Sequence, residues 1–82
     1  MEHPCELLPY VKAQVTDACA RMRVKCECED VGRHTIFRFS NEPLNLKSFF
    51  LLHWKTVEQI CDVDVLIDNI CKYARQCTLF IN

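Results

Sequence analysis

The stretch VKCECEDVGRHTIFRF, residues 24–39, decides how the chain folds. Within it the apolar positions recur every second residue. Val24, Cys26 and Cys28 alternate with Lys25, Glu27 and Glu29, and Phe37 and Phe39 alternate with Ile36 and Arg38. A period of two belongs to half-buried strands. Gly32, the chain's single glycine, lies between the two runs. Glycine takes positive φ without steric cost, as a tight hairpin requires. The spacing therefore predicts an antiparallel hairpin over residues 23–29 and 35–40. Its inner face would carry Val24, Cys26, Cys28, Phe37 and Phe39. Its outer face mixes both charges, with Arg38 able to meet Glu27 or Glu29 across the strands.

Upstream, CELLPYVKAQVTDACARMR has a helical period. Leu7, Leu8, Val11, Val15, Ala18, Cys19 and Met22 fall on one side, so a helix is expected over residues 6–23. Pro9 suits its first turn, where a missing N–H costs little. Downstream, SNEPLNL reads as a turn with Pro43 as breaker. LKSFFLLHWKTVEQI, residues 46–60, reads as a second helix with Leu46, Phe49, Phe50, His53, Trp54, Val57 and Ile60 on one face. A third helix follows, with Asp62 or Asp64 as cap and Val63, Leu66, Ile67, Ile70, Cys71, Tyr73, Ala74 and Cys77 on its apolar side. The C-terminal TLFIN is strand-like and a candidate third strand. The expected fold class is α+β: an N-terminal helix, a β-hairpin with that optional strand, and two helices packed on one face of a small antiparallel sheet. The 82 residues form one domain.

Half the residues are hydrophobic, enough for a packed core. Ten Lys and Arg balance eleven Asp and Glu, without the basic excess of a typical phosphate-backbone binder. Seven cysteines is an odd number, and a disulfide-stapled secreted domain favours an even one. No signal peptide is visible in the acidic N-terminus, and no apolar run approaches a membrane span. A cytoplasmic protein with reduced thiols and no membrane partner is expected.

Cys26-Glu27-Cys28 is the first candidate for chemistry. Zinc favours two close ligand pairs, and here no second pair exists. A metal module built on Cys26, Cys28 and His34 is the alternative reading. Its Arg21, Arg23, Lys25 and Arg38 would lie on phosphates. The bland reading is stronger, because free cysteine behaves as a small buried hydrophobe. His34 and His53 are the only bases placed for nucleophilic catalysis, and each has an ordinary explanation as a turn and a core residue. One glycine excludes a glycine-rich phosphate cradle. No catalytic residue and no cofactor are expected, and the chain reads as a non-enzyme.

The surplus is apolar. Phe49–Leu52 would make one helical turn apolar nearly all round, which is either closed over by the C-terminal TLFI or a partner surface at Leu51 and Leu52. Ile36, Tyr10 and Val65 add exposed apolar candidates. Glu27, Glu29 and Asp30 could mimic phosphates in a nucleic-acid groove. The expectation is a small interaction module that regulates or inhibits a larger complex, of the kind common among phage and mobile-element products that block a host nucleic-acid machine. Its partner would be a protein, or a second copy in a homodimer, rather than nucleic acid itself.

Overall fold

In the computed structural model, which describes residues 6–78, six elements follow in order. They are α1 (Leu7–Met22), β1 (Lys25–Val31), β2 (His34–Asn41), β3 (Leu46–His53), α2 (Trp54–Gln59) and α3 (Val63–Arg75). The three strands form an antiparallel sheet in the order β1-β2-β3. Helices α1 and α3 pack together on one face, with α1 towards β1 and α3 towards β3. This is the expected α+β arrangement, with one change of content.

The change is β3. Residues 46–53 form a strand rather than the first half of a helix, and the helix begins only at Trp54. The third strand of the sheet is therefore this segment. The C-terminal tail considered for that role lies, beyond Thr78, outside the described residues. A strand turns Leu46, Ser48, Phe50 and Leu52 towards the helices and Lys47, Phe49, Leu51 and His53 away from them.

Local chemistry sets the boundaries. Helix α1 buries Leu8, Val11, Val15 and Cys19, an i, i+3, i+4 stripe. It ends at Arg23, whose backbone is left-handed at φ 62° and ψ 39°. The β1–β2 turn has two residues, because Val31 pairs with His34. Gly32 has φ +63° and Arg33 is not in the positive-φ region, as a type II′ hairpin demands. Between β2 and β3, Asn45 takes φ 56° and its N–H donates to the Glu42 carbonyl at 3.0 Å. His53 ends β3 and caps α2 at once: its Nδ1 accepts from the Lys55 N–H at 3.1 Å. His53 is thus exposed at a strand end, not turned into the core as the helical reading placed it. Asp62 caps α3 by accepting from the Asp64 N–H.

The core lies between the sheet and the two long helices. Phe37, Phe39 and Leu52 from the sheet meet Val11, Val15 and Cys19 of α1 and Leu66, Ile70 and Ala74 of α3. One polar chain runs into it. Trp54 Nε1–H donates to the Thr35 hydroxyl at 2.9 Å, and that hydroxyl donates to Asp30 Oδ1 at 2.7 Å. Lys12 closes the chain at Asp30 Oδ2, 2.9 Å away. Thr35 is fully buried and yet satisfied, as a buried hydroxyl must be.

Candidate functional site

The sheet has two faces and the helices cover one. The other presents four cross-strand rows, set by the register: Lys25–Ser40–Lys47, Glu27–Arg38–Phe49, Glu29–Ile36–Leu51 and Val31–His34–His53. Its middle is apolar. Ile36 lies directly across from Leu51, and Phe49 is one row away. Phe49 is 64% exposed and Leu51 52% exposed. Charges rim this patch. Arg38 sits opposite Glu27 but reaches diagonally to Glu29 Oε1 at 2.8 Å, while Lys25 lies 3.6 Å from Glu27. An open groove of about 650 Å³ runs over this face, lined by Ile36, Phe49, Arg38, Lys47 and Glu27 among others. At the far end of the face, outside the groove, His34 and His53 stack edge to face with ring centroids 4.5 Å apart.

The expected partner residues divide. Ile36, Leu51, Glu27 and Glu29 share this face, and Phe49 joins them. Leu52 does not: it is 1% exposed in the core. A period of two places it opposite Leu51, where a helical period had put both near the surface. Tyr10 and Val65 are exposed, but on α1 and α3, in the helical layer rather than on the open face. Asp30 leaves the acidic trio. It turns towards the helix side, where Thr35 and then Lys12 hold its carboxyl below the usual range. A continuous row of three phosphate-mimicking acids is therefore not formed.

The cysteines occupy the other side of β1. Cys26 and Cys28 pair with Phe39 and Phe37, so they face the helices. Cys26 is half-buried against the core, whereas Cys28 is exposed. The expectation that both enter the core thus holds only in part. His34 points to the opposite face, so Cys26, Cys28 and His34 do not converge. Among the described residues, no group of three or more His, Cys, Asp or Glu is arranged to hold a metal. Cys26 instead meets other thiols. Hydrogen bonding from Cys19 lowers the Cys26 thiol to about 7, assisted by Cys28 and Thr16 and opposed by burial. The reciprocal bond and burial push Cys19 far up. Desolvation, reinforced by the Cys26 charge, pushes Cys28 up to about 11. One proton leaves this trio readily and the others are held back.

Of the alternative module's phosphate-binding residues, Arg21 and Arg23 line one cavity beside Lys25 at the end of α1, and Arg38 lies apart from them. Arg38 is engaged by Glu29 on the open face, and Arg21 belongs to the last turn of α1. No helix among the described residues is long and apolar enough to cross a membrane. No family model, no curated protein and no solved structure matches the chain.

Proposed function

We propose that the protein is a non-catalytic interaction module that regulates or inhibits a larger protein complex through the open face of its sheet. One observation carries this reading: Phe49 and Leu51 project from a face that no other described element covers, beside Ile36. Contiguous exposed apolar surface with a charged rim is the usual composition of a protein-binding patch. Aromatic residues supply most of the anchoring energy in such patches. The rim alternates acids and bases at Glu27, Glu29, Arg38 and Lys47, which sets register and excludes wrong partners more than it adds affinity.

The test is a paired capture experiment with the double variant Phe49→Asp, Leu51→Asp. The parent should retain a specific protein, or self-associate by sedimentation analysis, and the variant should lose that association while melting as the parent does. Equal association by both proteins would end the proposal.

A further inference from the structure

At the end of the domain opposite His34 and His53, the last turns of α1 and α3 come together. A cavity of about 350 Å³ opens there, lined by Arg21, Met22, Arg23, Arg75 and Thr78. Arg21 lies in the last turn of α1, Arg23 is its C-cap and Arg75 is the last residue of α3, so three arginines line one space. All three residues are exposed. Among the described residues, none of these guanidinium groups has an ion-pair or hydrogen-bond partner, unlike Arg38 with Glu29. Arg21 and Arg75 also share the neighbouring groove over Cys71, whose thiol is raised by burial and drawn down by Arg75 and Arg21 against Asp68.

Arg21 and Arg75 have a simple structural explanation, since cations suit helix C-termini. Arg23 does not share it fully. It holds the left-handed C-cap position, at φ 62°, where glycine is the favoured residue and a Cβ is disfavoured. An arginine kept where glycine would serve the backbone better suggests a task for the side chain.

We propose that Arg21, Arg23 and Arg75 bind an isolated phosphate monoester dianion. The planar guanidinium fork matches phosphate oxygens two at a time, which ammonium groups do not do. The surroundings favour one phosphate over a chain of them. Asp64 and Asp68 line the groove on one side of the cavity, and Glu42, with Lys25, lines the groove on the other. Successive phosphates of a nucleic-acid strand would run into those carboxylates, whereas a single phosphate reaches only the arginines. This site does not depend on the open face of the sheet.

The test follows the arginine Nε–H resonances during titration with inorganic phosphate. Saturable shifts are expected at Arg21, Arg23 and Arg75 but not at Arg38. Arg23→Gly should weaken binding by about ten-fold, as loss of a charge-assisted contact does, while raising or preserving the melting temperature. Arg75→Lys keeps the charge at the helix end but loses the fork, and should also weaken binding with stability unchanged. Tighter binding of a phosphoserine peptide than of phosphate would support a phosphorylated side chain as the source. Tighter binding of a sugar phosphate would support a small metabolite. The proposal fails if phosphate causes no saturable shift, if Arg23→Gly binds as the parent does, or if only an oligonucleotide binds.

Discussion

The two faces of the sheet are built from the same strands and the same kinds of residue, yet they do opposite things. Phe37, Phe39, Phe50 and Leu52 face the helices, and Ile36, Phe49 and Leu51 face away. The backbone hydrogen bonds serve both faces equally. Among the described residues only the inner one is covered, by α1 and α3. Apolar content alone does not define a core, because burial requires an opposing layer. The inner side chains hold the fold together, and the outer ones are left exposed among the described residues.

That contrast can be broken in four ways, and the inner face should respond most. Phe37→Ala removes a fully buried ring at the centre of the sheet, and chemical denaturation should show a loss of about 3–5 kcal/mol. A loss below about 1 kcal/mol would mean that the ring is not packed as described. Thr35→Val keeps the shape but leaves the Trp54 N–H without an acceptor and removes a donor to Asp30. About 1–3 kcal/mol should be lost by the same measurement, and Trp54 fluorescence should shift. An unchanged stability and spectrum would show that the hydroxyl does not matter.

Asp30 gives a smaller, pH-dependent effect. Its folded carboxyl lies below its unfolded value, through Thr35 first and Lys12 second. The stabilisation is therefore complete above the unfolded pKa and is lost as pH falls through the folded one. Because the carboxylate is partly exposed, no more than about 1 kcal/mol is expected at neutral pH. Asp30→Asn should flatten the acid limb of a stability–pH curve; an acid limb as steep as the parent's would remove the linkage. The smallest effect belongs to the open face. Phe49→Ala should change stability by no more than about 0.5 kcal/mol, although it deletes a ring as large as that of Phe37. A core-sized loss there would mean that the outer face is covered after all.

The sequence was legible wherever its period was unambiguous. Helix α1, the hairpin and α3 bury most of the residues their spacing selects, from Val11 and Val15 to Phe37, Phe39 and Ile70, while Leu7, Cys28 and Tyr73 stay exposed. Strand β3 was not legible, for a specific physical reason. A strand announces itself by apolar-in, polar-out alternation. Here Phe49 and Leu51 point outwards and Ser48 points inwards, where its hydroxyl lies 3.4 Å from Gln76 Oε1. The alternation is erased, and four apolar residues in succession imitate a buried helical turn. The residues that hid the strand are the ones left on the candidate surface, a conflict often found at functional positions. Leu52 was misplaced for the same reason. The Thr35–Trp54 bond joins residues nineteen apart, and the approach of Arg75 to Arg21 joins two helices. No local pattern encodes either.

The junction at His53 has a mechanical consequence. That residue is both the last of β3 and the cap of α2, so no slack chain separates the strand from the helix. Trp54, the next residue, is anchored by its N–H to the Arg33 carbonyl and by its ring to Thr35. The outer face and the start of α2 are thus joined with no intervening loop, and Trp54 ties both to the hairpin.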